Sequence, residues 1–464
     1  MFEKIKNSKL FSNFKFQISN LLEVGFYLFI FLLPWQTHLI LRAGEWHGKF
    51  GGSWPVDYWR IALYGVDILL VLLLAMAAVY RLKIKSEKLK VALAWIFVSV
   101  LDLVLFVSIF FAQDKALAIY KYTSFLLGVG LFWLASGKLY DRGKAVFSFL
   151  ASVSVQAVFS LWQFFFQGSP ACKWLGLSSH SAADGGASVI ETVGADGKIE
   201  RWLRSYGSFD HPNALGGFLA LGLLFSFFFL LRHKRDSSER IDKIFMFYLL
   251  SFIFSSAGLL LTFSRSSLLA AAVGMIFLAV SSVCRRNRPE MARFFKLSLL
   301  AMAVAATMVF SYADVFLART SYQARLEVKS ITERQLYFQD SLGLIRQNWM
   351  FGVGVGNYTK ALEKVVPDRF YWQWQPVHNA FLLILAEGGV FSLAAYCLFL
   401  IYLFYLSLRK KNVFNLSILL SLGIMMILDH YLWSLHSGQL LFWLMAGMIM
   451  NDSQNNKEYD DKSA

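Results

Sequence analysis

Twelve long apolar stretches constrain this chain more than any other feature of its sequence. Most are as long as the roughly 20 apolar residues that a helix needs to cross a bilayer, and the last two are shorter. Apolar residues make up 57% of the 464 residues and charged residues only 16%, which excludes a soluble multidomain enzyme, a disordered chain and a disulfide scaffold. The sequence therefore predicts an all-α polytopic membrane protein with about 12 transmembrane helices, at residues 21–41, 58–80, 91–112, 116–136, 145–167, 213–231, 244–263, 267–283, 295–316, 379–408, 413–428 and 438–450.

The distribution of basic residues predicts how these helices are oriented. If the N-terminus is cytoplasmic, the segments on the inner side carry 27 of the 45 Lys and Arg residues, against 4 in the four short outer loops. This asymmetry follows the positive-inside rule, which places Lys and Arg in cytoplasmic loops. Most of the basic residues behind the formal charge of +15 therefore serve to orient the helices in the membrane. We expect both termini in the cytoplasm, contacts with membrane lipids, and no nucleic-acid partner.

Two long loops are predicted on the outer side, at residues 168–212 and 317–378. Long ordered loops on a rigid scaffold usually carry function. The first contains a Gly-rich stretch, residues 181–200, whose Asp196-Gly197 dipeptide favours a hairpin turn. No function is assigned to that stretch. The loops divide the chain into helices 1–5 (1–167), helices 6–9 (213–316), helices 10–12 (379–450) and a cytoplasmic tail (451–464).

The second loop contains a predicted amphipathic helix from Glu333 to Asn348. Its predicted apolar side is formed by Leu336, Ser341, Leu342, Ile345 and Trp349. A glycine run follows, with Gly352, Gly354 and Gly356. No strand of a βαβ unit precedes this run, so it predicts a closely packed turn rather than a dinucleotide-binding loop.

Arg265 and His378 are the two outer residues whose chemistry most needs an explanation. Arg265 lies in a very short turn near hydrocarbon, where a charge is costly unless it is paired. It either caps a helix end at the interface or binds a phosphate, for which the planar guanidinium is suited. His378 either bonds to backbone or acts as a general base, because neighbouring cations would keep its imidazole neutral. His211 is a further candidate for contact with substrate.

Charged residues inside the spans allow a simpler interpretation. Asp67, Asp102, Lys121 and Glu387 are costly in a membrane. They form either a proton relay or structural pairs, and an Asp–Lys pair between neighbouring helices is the simpler hypothesis. His430 and His436 flank the last outer loop beside Asp429, but the spacing matches no standard metal-ligand pattern. No metal and no cofactor are therefore expected.

Four ordered motifs lie on the segments that are predicted to face outwards. Their order and membrane sides resemble those of the O-antigen ligase family, which includes O-linked oligosaccharyltransferases and O-antigen polymerases. The resemblance covers roughly Arg204 to Val390 in motifs and the whole chain in topology. The motifs are Arg204-x-x-Gly207-x-Phe209-x-x-x-Asn213, Ser264-Arg265-Ser266, Arg334 upstream of Phe351-Gly-x-Gly-x-Gly356-Asn-Tyr358, and His378-Asn379 followed by Glu387-Gly388-Gly389.

The resemblance implies a GT-C-like glycosyltransferase in the bacterial plasma (inner) membrane. The donor would be a glycan on undecaprenyl pyrophosphate, and the acceptor a hydroxyl of lipid A-core, of a lipid-linked glycan or of a protein. By the same likeness the transfer would be inverting and metal-independent. His378 would match the catalytic histidine, and Arg265 and Arg334 the arginines that hold the pyrophosphate. Arg204 is a further candidate for that clamp, with Asn379 and His211 as additional substrate-binding residues.

Two other functions remain open at this point. A polymerase of the same family, whose acceptor is another lipid-linked repeat, shares the donor chemistry and is not separated from a ligase by these residues. A transporter without covalent chemistry would also suit twelve spans. The basic and polar residues concentrate in the two outer loops rather than at mid-membrane, which favours the transferase.

Overall fold

The computed structural model describes residues 9–47, 52–82, 92–194, 196–233, 243–320 and 325–454. Within these ranges the chain is mostly helical, and the strands are short and pair only two at a time. The helices are α1 Lys9–Leu32, α2 Gly65–Leu82, α3 Ala92–Ser108, α4 Lys115–Ala135, α5 Arg142–Phe166, α6 Pro212–Arg232, α7 Lys243–Leu261, α8 Arg265–Cys284, α9 Arg288–Ser311, α10 Ala313–Thr320, α11 Arg325–Asn348, α12 Tyr358–Val365, α13 Ala380–Arg409, α14 Val413–Leu428, α15 Tyr431–Ser434 and α16 His436–Gln454. The strands are β1 His38–Arg42, β2 Glu45–His47, β3 Ser53–Pro55, β4 Ile61–Tyr64, β5 Gly168–Ser169, β6 His180–Ser181, β7 Val189–Val193 and β8 Ile199–Leu203.

Eight of the described helices are long and apolar enough to cross a membrane. Three shorter apolar helices, Gln17–Leu32, Gly65–Tyr80 and Val413–Leu428, coincide with further predicted spans. A polytopic membrane protein is thus supported, whereas the number twelve stays a prediction. The predicted bounds of the first two spans were wrong, because residues 38–42 and 61–64 form the antiparallel pair β1–β4 instead of helix.

Helix α6 lies at the centre of the helical bundle. Nearly all its residues from Pro212 to Leu231 are buried, and small residues such as Gly217 and Gly222 let neighbouring side chains approach its backbone closely. Helix α9 is the opposite case, since Leu297 is its only buried residue. The apolar side chains of α9 therefore face the region that lipid would occupy.

The segments predicted to face outwards meet at one end of the bundle. Arg42 forms an ion pair with Asp114, with Nη2 and Oδ2 2.7 Å apart, and the Asp114 backbone N–H donates to Asn357 Oδ1 at 2.8 Å. Asn213 Nδ2 donates to Asp429 Oδ2 at 2.6 Å, which joins the start of α6 to the end of α14. These contacts bring both long loops and the short loops together, and we call this region the loop end.

The segments predicted on the inner side meet at the opposite end. Lys144 pairs with Glu23 at 3.2 Å, and Arg142 contacts Asp452. Arg293 Nη1 donates to the Leu231 carbonyl at 2.9 Å. These contacts agree with the partition of segments that the basic residues predict.

The charged residues inside the spans are paired, but not as expected. Asp67 accepts from His436 Nε2 at 2.7 Å, and Asp102 accepts from the Tyr122 hydroxyl at 2.7 Å. Glu387 accepts from Trp433 Nε1 at 2.8 Å. The hypothesis of Asp–Lys pairs was therefore wrong, because aromatic and imidazole donors satisfy these carboxylates at lower desolvation cost.

The two long loops contain the predicted hairpin and helix, with changes. Strands β7 and β8 pair from Val189↔Leu203 to Val193↔Ile199, around a turn in which Gly197 has φ +77°. Helix α11 begins eight residues earlier than predicted, at Arg325, and buries Tyr337, Ser341 and Leu344. Of the predicted apolar side, Ser341 is buried and Ile345 packs against the core, whereas Trp349 is exposed beyond the helix end.

The glycine run after α11 forms a packed turn, as predicted. Gly352, Gly354 and Gly356 all have positive φ, and a Cβ on Gly352 would lie 2.3 Å from the backbone of Glu387. The turn fits against a kink in α13 at Gly389, where φ is 74° and ψ is −176°. Val353 N–H donates to the Ala386 carbonyl at 2.8 Å across this junction. The kink thus fixes the second loop to the helix that begins at the loop end.

We predict that Gly389→Ala strongly destabilises the protein. Its dihedral angles are accessible essentially to glycine alone, at a cost of about 1–3 kcal/mol for other residues, and the new Cβ would lie 2.0 Å from the Met350 carbonyl oxygen. The melting temperature of the detergent-solubilised protein should fall by several degrees. Gly423→Ala is the matched control, because a Cβ there meets nothing within 4 Å. Equal melting temperatures for both variants would contradict the role of the kink.

Candidate active site

His378 and Asp429 form a dyad at the loop end. His378 Nδ1 lies 3.3 Å from Asp429 Oδ1; the histidine side chain is 25% exposed and the aspartate 3%. Because an ionised carboxylate can only accept a hydrogen bond, Nδ1 carries the proton and Nε2 keeps its lone pair. Nε2 makes no hydrogen bond to any described residue. The dyad therefore presents a basic nitrogen on its exposed side.

Local sequence positions the two members of the dyad. His378 precedes Asn379, whose Oδ1 accepts from the Leu382 backbone N–H at 3.0 Å and so caps the start of α13. Asn379 Nδ2 also donates to the Ile427 carbonyl at 3.0 Å, two residues before Asp429 at the end of α14. Asn379, predicted to bind substrate, thus joins the two helix ends that carry the dyad.

Two further residues extend the dyad into a buried chain of hydrogen bonds. Asn213 Nδ2 donates to Asp429 Oδ2 at 2.6 Å, and Asn213 Oδ1 accepts from Arg204 Nη2 at 2.7 Å. Arg204 is 8% exposed, and its Nε donates to the Thr262 carbonyl at 2.8 Å. Arg204, predicted as part of the pyrophosphate clamp, therefore lies beneath the site surface. It orients the amide that holds Asp429.

His430 and His211 border the dyad. The His378 and His430 ring centroids are 5.2 Å apart, and His430 Nδ1 lies 2.6 Å from Ser434 Oγ. His211 caps helix α6, since its Nδ1 accepts from the Asn213 backbone N–H at 3.1 Å, and its Nε2 lies 3.4 Å from Ser188 Oγ. His211 thus has both ring nitrogens engaged by protein, and substrate contact by this residue stays a prediction.

Burial controls the ionisation of this cluster. Burial, followed by the charge of Arg204, lowers the pKa of His211 to about 3, and burial lowers the pKa of His430 to about 4. Burial alone would raise the pKa of Asp429, but its hydrogen bond to His378 and the neighbouring histidine charges bring that pKa below its usual range. At neutral pH the cluster therefore holds one buried carboxylate beside two neutral imidazoles.

A second cluster contains three arginines and one carboxylate. Arg265, the first residue of α8, donates from Nη2 to Glu327 Oε2 at 2.5 Å, and Arg319 contacts the other Glu327 oxygen. Arg319 also donates from Nε and Nη2 to the Phe263 carbonyl, at 3.3 and 3.2 Å. Arg334 is exposed on α11, two turns beyond Glu327. We call Arg265, Arg319, Arg334 and Glu327 the arginine cluster.

The two clusters are electrostatically connected. Burial is the main cause of the lowered pKa of His430, and the positive charge of Arg334 lowers it further. In the same way, burial and the charge of Arg319 lower the pKa of Arg204. A site with this excess of positive charge favours an anionic ligand next to the exposed base. Arg265 contacts Glu327 directly, and Arg334 follows Glu327 on the same helix; binding of pyrophosphate by these two arginines stays a prediction.

Three side chains of the dyad region can also act as metal ligands. Ligand atoms of His378, Asp429 and His430 lie within 4.8 Å of one another, and such nitrogen and oxygen donors suit Zn²⁺. His436, which the sequence analysis considered as a metal ligand together with His430, does not belong to this group, since it contacts Asp67. The Asp429 oxygens already accept hydrogen bonds from Asn213 and from the His430 backbone N–H, at 2.6 and 2.8 Å.

Comparison with known proteins agrees with this geometry. Residues 250–397 match the O-antigen ligase family model. The matched region runs from α7 to α13 and contains Arg265, Arg334 and His378, whereas Arg204 and Asp429 lie outside it. The match confirms the resemblance and supports an O-antigen ligase- or polymerase-related membrane enzyme with glycosyltransferase-like activity. The O-antigen ligase family implies, in general terms, a lipid-linked glycan and an acceptor as partners. No curated protein matches the chain.

Sequence reasoning missed the site role of four residues that the structure brings together: Asp429, His430, Arg319 and Glu327. Asp429 and His430 were considered only as metal ligands with His436, because their proximity to His378 depends on how α13 and α14 pack. Arg319 and Glu327 were not singled out, since charges in an outer loop usually face water. Asn213 was recognised as a motif residue, but nothing in the sequence around it indicates that it forms a hydrogen bond with Asp429 on the other side of the bundle.

We predict that stability falls as the pH decreases from about 6.5 to 4, because His430 is neutral when folded and protonated when unfolded. The folded pKa of about 4 lies below the unfolded value, so the unfolded state binds more protons in this window. The loss should be on the order of 2–3 kcal/mol. The measurement is the melting temperature in detergent between pH 7 and 4.5, and His430→Gln should flatten its decrease. His47→Gln, at an exposed strand position, should follow wild type; a His430→Gln curve as steep as wild type would contradict the prediction.

Proposed function

We propose that this protein transfers a glycan from undecaprenyl pyrophosphate to an acceptor hydroxyl on the outer side of the membrane. The observation that carries the proposal is the His378–Asp429 dyad, with its free Nε2, beside the arginine cluster. The family match over residues 250–397 supports the same class of reaction. A base and an anion-binding cluster side by side are the two parts that such a transfer needs.

His378 acts as general base in this mechanism. Its Nε2 takes the proton of the acceptor hydroxyl as the acceptor oxygen bonds to the anomeric carbon of the donor sugar. The bond between that carbon and the pyrophosphate oxygen breaks in the same displacement, which inverts the configuration at the sugar. Asp429 keeps Nδ1 protonated and stabilises the imidazolium that forms, as the carboxylate does in other His–Asp pairs.

The arginine cluster stabilises the leaving group. Negative charge develops on the pyrophosphate as the glycosidic bond breaks, and guanidinium groups can bind two phosphate oxygens at once. Arg265 is 51% exposed and Arg334 is exposed, so both are accessible to a lipid-linked substrate. Arg204 and Asn379 act indirectly, by positioning Asp429 and the start of α13. A metal ion is not required by this mechanism.

Ligase and polymerase remain alternatives within the proposal. They share the donor and the dyad, and they differ in whether the acceptor hydroxyl belongs to another lipid-linked repeat, to lipid A-core or to a protein. Supplying each acceptor separately to the purified protein distinguishes them. A transporter is disfavoured because the Asp67 and Asp102 carboxylates, which could have bound coupling ions, are paired with His436 and Tyr122.

We predict that His378→Ala lowers the rate of glycan transfer by at least about 10²-fold, the usual contribution of a general base. Asp429→Asn should lower the rate as well and change its pH profile, because an amide no longer fixes the imidazole tautomer. The measurement is transfer from a defined undecaprenyl-pyrophosphate glycan, detected on gels of extracted product. His47→Ala is the control for histidine replacement. Transfer by His378→Ala at the wild-type rate would exclude this residue as the base.

We predict that Arg265→Lys loses most of the activity, although the charge is kept. An ammonium group offers a point charge in place of a planar fork, so the two-oxygen contact with phosphate is lost. The effect should appear as a lowered kcat together with a raised KM for the donor, because the guanidinium binds the pyrophosphate and stabilises the charge that develops on it. Arg346→Lys, an exposed position on α11, is the matched control. Near-normal kinetics for Arg265→Lys would indicate that Arg265 only caps helix α8.

A further inference from the structure

A buried carboxylate engages the arginines that the proposed function requires for the donor. Glu327 is 7% exposed, and each of its oxygens accepts from a different guanidinium, Arg265 Nη2 at 2.5 Å and Arg319 Nη1. The N–H groups that face Glu327 are not available to a phosphate at the same time. In this structure, an internal anion therefore occupies part of the anion-binding surface.

Arg319 lies at the centre of this arrangement. It binds the Phe263 carbonyl through two N–H groups and so fixes the turn that immediately precedes Arg265, in which Phe263 has φ +50°. Burial lowers the pKa of Arg319, and the charges of Arg265 and Arg334 lower it further. Three guanidinium groups that repel one another need a counter-anion whenever no substrate is bound.

We propose that Glu327 is an internal counter-anion which the pyrophosphate of the donor displaces, and that Arg319 is a third pyrophosphate-binding arginine beside Arg265 and Arg334. The inference rests on the proposed function, which supplies the pyrophosphate. The Glu327 carboxylate stabilises the arginine cluster between turnovers. It also competes with the pyrophosphate lipid that remains after transfer, and so assists release of that product.

Helix α11 can remain in place when the Glu327 carboxylate turns away. A second ion pair holds the same first turn, because Arg325 donates from Nη2 and Nε to the Glu191 carboxylate at 2.6 and 3.1 Å. Glu191 belongs to strand β7 of the Gly-rich outer loop, whose hairpin also lies against α10 and α11. The hairpin therefore anchors the helix independently of Glu327, which gives the first long loop a positioning role.

The test is the affinity of the purified full-length protein for inorganic pyrophosphate, measured by calorimetry in detergent. Glu327→Gln keeps the shape and removes the charge, so the Kd should fall by about three- to tenfold relative to wild type. Glu333→Gln, on the same helix and paired with Lys329 at 3.7 Å, is the matched control and should leave the Kd unchanged. An unchanged or raised Kd for Glu327→Gln would show that Glu327 is a structural partner of the arginines and not a competitor.

A more conservative variant guards against misfolding of Glu327→Gln. Glu327→Asp keeps the charge but withdraws it by one methylene group, so its Kd should lie between those of wild type and Glu327→Gln. A Kd for Glu327→Asp at or above the wild-type value would overturn the inference. Arg319→Gln should raise the Kd, whereas an unchanged Kd with a lowered melting temperature would limit Arg319 to holding the turn at Phe263.

Two further comparisons complete the test. The first distinguishes a lipid headgroup from the donor as the source of phosphate, and the second distinguishes failure of this inference from failure of the proposed function. If added phosphatidylglycerol abolishes the difference between wild type and Glu327→Gln, the displacing group is a bilayer headgroup, which overturns the assignment to the donor. Glycan transfer by wild type together with a Kd insensitive to Glu327 contradicts the inference alone. A Glu327-sensitive Kd in a protein that transfers no glycan contradicts the proposed function alone.

Discussion

The buried carboxylate of Asp429 is the interaction on which the loop end depends. A buried charge is costly unless donors surround it, and here Asn213 Nδ2, the His430 backbone N–H and His378 Nδ1 all face it, at 2.6, 2.8 and 3.3 Å. These donors come from the start of the central helix α6, the end of α14 and the start of α13. One carboxylate thus fixes three helix ends and, in doing so, sets the tautomer of the exposed histidine.

The arginine cluster also depends on paired charges, but here the positive charges are in excess and need an anion. Arg265 and Arg319 both pair with the carboxylate of Glu327, which offsets their positive charges. Both carboxylates are buried, at 3% exposed for Asp429 and 7% for Glu327, and the clusters differ in the exposure of the partner, which is 25% for His378 and 51% for Arg265. A fixed buried anion suits the orientation of a base, and an exchangeable anion suits a site that binds and releases a pyrophosphate.

The sequence predicted the membrane class and the segments of the site because those depend on local signals. Apolar length and the asymmetry of Lys and Arg assign segments to the two ends, and the turn at Gly352–Gly356 follows from glycine spacing. Pairings between distant residues could not be predicted: His378 and Asp429 meet only because α13 and α14 pack with a particular rotation. The same limit explains why Arg204, predicted as part of the pyrophosphate clamp, is buried, and why Asp67 pairs with His436 and not with a lysine.

The central claim is that this loop end transfers a glycan by general-base catalysis without a metal. The most direct measurement is the initial rate of transfer by the purified protein, given a defined undecaprenyl-pyrophosphate glycan and separate acceptors, with and without a chelator. The account predicts transfer to an acceptor hydroxyl at a rate that the chelator leaves unchanged. Absence of transfer to every acceptor, or a loss in chelator that added metal restores, would contradict it; the second result would indicate an ion held by His378, Asp429 and His430.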